Sequence, residues 1–347
     1  MDVLFYVDGS VSNFGDDLNR WLWRRLLGSS MDSERGTLLL GIGTILSKGF
    51  VPPGKQYVVM GSGVGYDVPP QDFGGPSWKI LAVRGPLTAA TLGLPPEKAV
   101  IDGAALLRLL PELKPLLPSE RAGVAFMPHY ELMPAGNWKR VCEMAGIEFL
   151  NPLADSQETV QRIRRAGLVI ADAMHAAIVA DALRVPWIPV VISPQTNTFK
   201  WLDWTMSLDL PYNPARIPAS TLLEAVRNWS LRFCGNRLCF AQRTPASAIE
   251  RYNSFRRRAS GRYWPILRRL LSVFTHAIPR RVVSSRALAG FRKRQDKHKA
   301  TQAAERLRQI ATMPGSLSDE QVFQARLDRL AGLLEGLKAE LGSAQGE

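Results

Sequence analysis

His175 occupies a position in the sequence where a catalytic imidazole would be well placed. Leu168–Ala171 is a short apolar run typical of a buried parallel strand, and the alanine-rich segment that reaches Leu183 predicts a helix with Asp172 as its N-cap. Ligands of α/β proteins bind at the carboxyl ends of strands, where the N-termini of helices point. We therefore assign His175 as a general acid/base, the alternative being a histidine buried for packing.

Two cations follow other predicted strands. Arg84 comes directly after Ile80–Val83 and could hold a carboxylate or phosphate through two parallel hydrogen bonds, although a structural ion pair explains it equally well. Lys200 follows the last predicted strand, Trp187–Ile192, and is a second candidate ligand for an anion. The neighbouring Trp201 and Trp204 could stack on a sugar or simply pack in the core.

Glycines and small polar residues follow two further strands. Gly61, Ser62 and Gly63 come after Tyr57–Met60, and glycines allow backbone N–H groups to approach an anion closely. No helix follows at the distance that the dinucleotide-binding fingerprint requires, so the motif is not that fingerprint, and a phosphate or a carboxylate is the group that such a loop could hold.

Three further residues are weaker candidates. Asn13 and Asp16 open the helix after the first strand, Val3–Val7, where a capped helix is the simpler explanation. His129 follows the strand Gly123–Met127 and is either a second acid/base or, by preference, a loop histidine with a structural role. We assign no reactive residue to the end of the predicted strand Ala99–Ile101.

Strands and helices alternate over the first two hundred residues, which predicts an α/β fold with mostly parallel sheets. The proline-rich segment Leu109–Gly123 is the best candidate for a linker. We expect a Rossmann-like N-terminal domain over 1–112, a Rossmann-like C-terminal domain over 113–240, and a basic helical extension over 241–347. The predicted helices are Asp16–Leu27, Pro86–Leu92, Trp138–Ala145, Ser156–Ala166 and a last helix with a leucine stripe (Leu327, Leu330, Leu334, Leu337 and Leu341).

The composition restricts the compartment and the chemistry. The chain has 347 residues, 46% of them hydrophobic, and lacks the run of roughly twenty apolar residues that a spanning helix needs. Its N-terminus has no basic region typical of a signal peptide. The 3 cysteines and 4 histidines show no spacing typical of metal ligands, so we expect no metal. So few cysteines are typical of a reducing compartment, and we therefore expect a cytoplasmic location.

The net charge of +13 is concentrated near the C-terminus. Residues 245–310 contain 17 Lys/Arg and 3 Asp/Glu, so the remainder of the chain is close to neutral. Within this region, Gly261–Val283 mixes arginines with aromatic and aliphatic residues. That mixture suits either a helix lying on a membrane surface or a helix packed on the domain. The region lacks the pattern of aromatic residues that nucleic-acid-binding proteins use to contact bases, which argues against a nucleic-acid partner. The formation of a homo-oligomer stays open.

Taken in order, the motifs "NFGDDLN", "GSGVG", "LAVRGPLT", "MPHY", "MHAAIVADALRVPW" and "FKWLDW" resemble the polysaccharide pyruvyl transferase family, in particular the ketalases of succinoglycan-type exopolysaccharide synthesis. The resemblance covers roughly residues 1–210. It implies two Rossmann-like domains in a GT-B-like arrangement. It also implies transfer of pyruvate from phosphoenolpyruvate to two sugar hydroxyls, which gives a cyclic ketal.

The resemblance also carries residue roles. His175 matches the histidine proposed for acid/base work, and Arg84 matches an arginine that binds the donor. Many members carry another arginine where this chain has Ala173, and we assign Lys200 as its substitute. Phosphoenolpyruvate is then a co-substrate, and no cofactor is expected.

The partners follow from the same resemblance. We expect the acceptor to be an oligosaccharide or a lipid-linked oligosaccharide, with the enzyme peripheral at the inner face of the plasma membrane. The competing hypotheses are a GT-B glycosyltransferase that uses a nucleotide sugar and a nucleic-acid-binding protein driven by the basic extension.

Overall fold

The computed structural model describes residues 1–5, 13–32, 36–234, 238–241 and 243–343. Within these residues, the strands form two sheets in which every pairing is parallel. The first sheet has the order β1-β2-β3-β4, formed by Asp2–Val3, Thr37–Leu40, Gln56–Met60 and Trp78–Ala82. The second has the order β6-β5-β7-β8-β9, with β5 to β9 being Ala122–Met127, Glu148–Phe149, Ala166–Ala171, Trp187–Val191 and Ala215–Arg216.

Helices connect the strands and continue beyond the last one. In chain order α1 to α13 are Phe14–Asp17, Leu22–Leu27, Pro86–Leu92, Trp138–Ala145, Ser156–Arg165, Met174–Ala182, Thr198–Ser207, Leu222–Phe233, Pro245–Ala259, Trp264–Ser272, Ile278–Val283, Ala289–Ala311 and Glu320–Ser343. The described part also contains several short 3-10 helices, of which Gly103–Leu109 is the longest. None of the described helices is long and apolar enough to cross a lipid bilayer.

Burial on both faces explains the sequences of the central strands. Every residue of β2 and β8 is buried, as expected for parallel strands that are covered by helices on both sides. The two sheets together with the connecting helices confirm the predicted α/β class. The predicted boundary at residue 112 falls between β4 and β5, and the domain limits and the GT-B-like arrangement stay predictions.

Two predicted elements differ from the structure. The predicted strand Ala99–Ile101 is wrong, because only Ala99 bridges to Val83 and the chain then enters the 3-10 helix Gly103–Leu109. The predicted helix Asp16–Leu27 is interrupted by a 3-10 turn at Leu18–Arg20, which separates α1 from α2. The first predicted strand is present at Asp2–Val3, and its last two positions, 6 and 7, lie outside the described residues.

The C-terminal helices pack on both halves of the molecule. Helix α12 lies against α4 and β7, next to the second sheet, whereas α13 lies against β4 and the 3-10 helix Gly103–Leu109. All five leucines of the predicted stripe on α13 are buried, which confirms the stripe. The last helix therefore contributes to the core around the first sheet.

Candidate active site

His175 is the second residue of α6, directly after the carboxyl end of β7. The N-cap of this helix is Ala173 and not the predicted Asp172. The Asp172 carboxylate instead accepts hydrogen bonds from the backbone N–H of His129 (3.1 Å) and the hydroxyl of Thr196 (3.2 Å). Burial raises the pKa of Asp172 to about 7. Asp172 therefore joins the loops that follow β5 and β8 at the end of the second sheet.

The imidazole of His175 faces a carboxylate from the other half of the chain. Its Nε2 lies 3.8 Å from Oδ2 of Asp102, and the two side chains are 12% and 0% exposed. Among the described residues, neither atom has a hydrogen-bond partner. The other carboxylate oxygen of Asp102 accepts from the backbone N–H of Ala104 at 3.0 Å and so caps the 3-10 helix. Asp102 was not predicted as a site residue. The signal that could have identified it is an aspartate at the end of an apolar run, as in "AVID".

Helix α1 covers the opposite edge of the imidazole. A Cβ atom at Gly15 would overlap the His175 ring at Nδ1, so only glycine allows the backbone of α1 to lie this close. The backbone N–H of Phe14 donates to the carbonyl of Pro152, which ties α1 to the second half of the chain. His175 is thus enclosed between the two halves.

Asn13 and Asp16 belong to the same helix end. Asn13 is the N-cap of α1, and its Oδ1 accepts from the backbone N–H of Asp16 at 3.3 Å, so the capping explanation holds for Asn13. Asp16 is 8% exposed. Burial raises the pKa of Asp16, and the positive charges of His175 and Lys200 oppose that rise. Asp16 therefore shares one electrostatic cluster with the two predicted catalytic-site residues.

Lys200 supplies a cation at the edge of this cluster. It is the third residue of α7, and its Nζ donates to the hydroxyl of Tyr66 at 3.0 Å while lying 4.5 Å from the centre of that ring. Burial and the nearby Arg84 together lower the pKa of Lys200 to about 8, and Asp16 acts in the opposite direction. Tyr66 was not predicted as a site residue, although it directly follows the glycine-rich "GSGVG".

Arg84 is fully buried beneath the loop after β3. Its Nε donates to Oδ2 of Asp203 at 2.9 Å, and its two Nη atoms donate to the Thr44 hydroxyl (2.9 Å) and the Val64 carbonyl (2.8 Å). Of the two alternatives that the sequence left open, the structure contains the structural ion pair. Direct contact between Arg84 and a ligand stays a prediction, and the pair joins the first half of the chain to α7.

The loop Gly61–Gly65 owes its composition to close packing. Gly61 lies against the backbone of Gly103, and a Cβ atom at Gly63 would lie 2.5 Å from Cζ of Arg84. Ser62 is buried and donates its hydroxyl to the carbonyl of Gly41 at 3.1 Å. Packing thus accounts for all three predicted positions, and contact of their backbone with an anion stays a prediction.

His129 lies near Lys200 and His175 but points into a separate polar pocket. Burial lowers its pKa to about 4, which outweighs the opposite effect of Glu131, whose Oε2 is 3.8 Å from Nδ1. The imidazole is therefore neutral at physiological pH. The pocket lies at the carboxyl ends of β5, β7 and β8 and is lined by His129, Glu131, Leu132, Asp172, Ser193, Gln195, Thr196 and Arg227.

The two tryptophans beside Lys200 belong to the core. Trp201 and Trp204 are 2% and 0% exposed. Trp204 packs on Trp187 with ring centres 5.0 Å apart, and Trp201 stacks on Tyr212 at 5.2 Å. The structure therefore supports the packing alternative, because neither ring is accessible to a sugar.

The arrangement combines the parts that acid/base chemistry on a small anion requires. The first half of the chain contributes the carboxylates Asp16 and Asp102 and the Tyr66 hydroxyl, and the second contributes His175 and Lys200. A histidine can exchange a proton while the lysine neutralises negative charge. In the described residues, no group of three or more His, Cys, Asp or Glu side chains is arranged to hold a metal ion.

Comparison with known proteins identifies the family. The chain is similar to succinoglycan biosynthesis protein ExoV of Rhizobium meliloti (strain 1021), with 40% identity over 233 residues, which cover 66% of this chain and 73% of that protein. No protein-family model matches the chain, and no solved structure matches it. Identity of this level over most of both chains shows common descent, and the chain therefore belongs to the family of succinoglycan biosynthesis protein ExoV.

Proposed function

We propose that this protein is a transferase of exopolysaccharide biosynthesis that moves the pyruvyl group of phosphoenolpyruvate onto two hydroxyls of one sugar, closing a cyclic ketal. The name of the relative supports the biosynthetic role, and the ordered motifs resemble the polysaccharide pyruvyl transferases. The observation that carries the proposal is the His175–Asp102 pair enclosed beside Lys200, with residues from both halves of the chain around it.

His175 performs the first proton transfer in this proposal. Its imidazolium donates a proton to C3 of phosphoenolpyruvate, and the π electrons of the double bond form the new C–H bond, which leaves an oxocarbenium-like centre at C2. A sugar hydroxyl attacks C2 and gives its proton to the imidazole, which is then charged again. Asp102 stabilises the imidazolium and orients the ring, because its Oδ2 faces Nε2.

The second step releases phosphate and closes the ring. The bond between C2 and the phosphate oxygen breaks with its electron pair going to the phosphate, and the second sugar hydroxyl then bonds to C2. The proton of that hydroxyl ends on the phosphate. The products are the cyclic ketal and one hydrogen phosphate, so atoms and charges balance without an added oxidant, reductant or metal ion.

Lys200 is the residue we assign to the anionic donor. Its ammonium can neutralise the carboxylate or the phosphate of phosphoenolpyruvate, and the hydroxyl of Tyr66 holds it in place. Arg84 has an indirect role, because its guanidinium is bound to Asp203 and packs against the loop at Gly63. Its role in this proposal is to position the loop and α7.

The acceptor sugar is assigned to the polar groups around the mouth of the pocket at the end of the second sheet, because the pocket itself has a cavity volume of only about 10 Å³. Neutral His129, together with Gln195 and Thr196, offers hydrogen-bond donors and acceptors that suit sugar hydroxyls. Asp172, which bonds to His129 and Thr196, directly precedes Ala173, the N-cap of the helix that carries His175, and so links the pocket to that helix.

The experiment offers purified protein phosphoenolpyruvate and a lipid-linked oligosaccharide and follows the release of inorganic phosphate. Parallel reactions replace phosphoenolpyruvate by uridine or guanosine diphosphate sugars, which the competing glycosyltransferase hypothesis requires. We expect phosphate release that depends on both phosphoenolpyruvate and acceptor, and a fall of about a hundredfold or more in His175→Ala. Glycosyl transfer from a nucleotide sugar with no reaction of phosphoenolpyruvate would overturn the proposal.

A further inference from the structure

Helices α10 and α11 and the π-helical turn between them form one continuous helical segment that packs on α8. The turn comprises Val273–Ala277, and both it and α11 contact α8. On the packed side Thr275, Pro279 and Val283 are buried. The segment is therefore held on the folded protein by one side only.

The remaining surface of the segment exposes a row of large apolar side chains. Four of these side chains recur at the spacing of one helix turn and are 43–57% exposed: Leu270, Phe274, Ile278 and Val282. The last three of them each directly precede one of the buried residues. Three further side chains, Tyr263, Ile266 and Leu267, extend the row toward its N-terminal end, and Val273 lies beside Phe274 within it; these four are 42–72% exposed. We call these eight residues the apolar stripe. A contiguous stripe of this kind on a folded protein marks a surface that contacts a partner.

Positive charge surrounds the apolar stripe. Residues 251–295 contain 13 Lys/Arg residues and no Asp or Glu. Arg268, Arg269, Arg280 and Arg281 lie within the segment itself, and all four are exposed. The partner must therefore accept apolar side chains and carry negative charge at the same surface.

We propose that the apolar stripe and its arginines dock the protein on the surface of an anionic lipid bilayer. The aliphatic and aromatic side chains would enter the boundary between headgroups and acyl chains, and the arginines would pair with lipid phosphates. Helix α8 adds two more aromatic residues that suit this boundary, because Trp229 and Phe233 are 63% and 79% exposed and stack on each other at 5.4 Å.

Charge argues against two other partners. A second copy of the chain meeting this surface about a two-fold axis would place the same arginines against each other, which is unfavourable for two like-charged surfaces. A nucleic acid would accept the arginines but would leave the apolar stripe in water. An anionic bilayer satisfies both features.

The surface lies beside the candidate acceptor pocket. Helix α8 carries Arg227, which lines the pocket, and the π-helical turn packs on this helix. The positive charge of Arg227 also acts on His276 of that turn, which requires the two residues to be close. Docking would thus bring the pocket near lipid headgroups, although lipid binding itself does not depend on the proposed pyruvyl transfer.

The test uses the full chain and sedimentation with vesicles of phosphatidylcholine, with or without about one third phosphatidylglycerol. One variant replaces the stripe (Leu270→Ser, Phe274→Ser, Ile278→Ser), and its control replaces exposed leucines elsewhere (Leu117→Ser, Leu153→Ser). A second variant removes charge (Arg268→Gln, Arg269→Gln), and its control is Arg24→Gln with Arg140→Gln. All of these side chains are exposed, so each variant is expected to fold, as thermal unfolding would verify.

We expect binding to the anionic vesicles that weakens with added salt, and about tenfold or more weaker binding in both test variants but in neither control. Equal binding to neutral and anionic vesicles, no binding by the full chain, or full binding by the stripe variant would overturn the proposal. Sedimentation velocity and binding of duplex DNA are measured on the same proteins. A dimer that the stripe variant dissociates, or DNA binding that outcompetes the vesicles, would assign the surface to a second copy or to nucleic acid instead.

Discussion

The Nε2 atom of His175 faces Oδ2 of Asp102 across the boundary between the two halves of the chain, at 3.8 Å. Asp102 follows the first sheet and His175 follows β7 of the second sheet, so the pair forms only when both halves are folded and in contact. This relationship explains how an acid/base group can be enclosed and oriented by residues from both halves.

Replacing Asp102 by asparagine should slow pyruvyl transfer by roughly a hundredfold, because the imidazole loses its orienting carboxylate. Asparagine retains an oxygen that can accept from the N–H of Ala104, so the 3-10 helix keeps its cap. Rates of phosphate release in Asp102→Asn, His175→Ala and the double variant form a double-mutant cycle. The double variant should be no slower than His175→Ala alone. Fully multiplicative effects would show that the two residues act separately.

The Gly15→Ala variant should lose turnover with little change in the affinity for phosphoenolpyruvate. The new methyl group would displace the His175 ring, and a misplacement of about 1 Å can cost roughly a hundredfold in rate. Gly332→Ala on α13 is the matched control, because a Cβ atom there meets no neighbour. Wild-type turnover in Gly15→Ala would indicate that the position of His175 is unimportant.

Binding of phosphoenolpyruvate should weaken as the pH rises through about 8. The pKa of Lys200 is lowered to about 8, so the charged ammonium is present below that pH and is lost above it. Titration calorimetry between about pH 7 and 9 measures the effect. In Lys200→Gln the affinity should fall by about 1.5–3 kcal/mol and the pH dependence should disappear. Unchanged pH dependence in this variant would assign it to another group.

Arg84→Met should lower the free energy of unfolding by about 3–5 kcal/mol, because it leaves the buried Asp203 carboxylate without its cation. Urea denaturation measures the change, and Arg140→Met, with a side chain 61% exposed, is the control. A variant of Arg84 with wild-type stability but weakened phosphoenolpyruvate binding would return this arginine to the role of a direct donor ligand.

Helix α13 should be required for the stability of the first half of the chain. Leu334 is 1% exposed in the core around the first sheet, so Leu334→Ala should cost about 2–5 kcal/mol. Leu117→Ala, where the residue is 66% exposed, should cost little. Equal unfolding midpoints for the two variants in urea would show that α13 is a dispensable extension.

Local sequence signals predicted the helices whose ends are marked by capping residues, prolines or glycines. Helix α3 begins at Pro86 and ends before Gly93 in the left-handed region, and α4 begins after the cap Asn137 and ends before Gly146, also left-handed. Both were predicted with their observed bounds. Asp172 carries an equally strong capping signal, but its carboxylate bonds instead to residues of two other loops, and tertiary structure of this kind is invisible to a local pattern.

The candidate site was predictable only in its separate parts. The position of His175 after a strand and at the start of a helix follows from the sequence pattern. Its partner Asp102 could not be identified, because their contact depends on how two sheets are placed relative to each other. For Arg84 the sequence left two alternatives, and the ion pair with Asp203 on α7 is visible only in the three-dimensional structure.

The fate of a labelled carbon tests the central claim most directly. Phosphoenolpyruvate labelled with carbon-13 at C2 is incubated with the protein and the lipid-linked oligosaccharide, and the product is analysed by NMR. The account predicts that the label becomes a quaternary ketal carbon bonded to two oxygens of one sugar, with release of one phosphate for each ketal formed. It also predicts that His175→Ala forms this product at a rate lower by about a hundredfold or more. Label that stays in phosphoenolpyruvate, or that appears only as free pyruvate, while the folded wild-type protein and acceptor are both present, would contradict it.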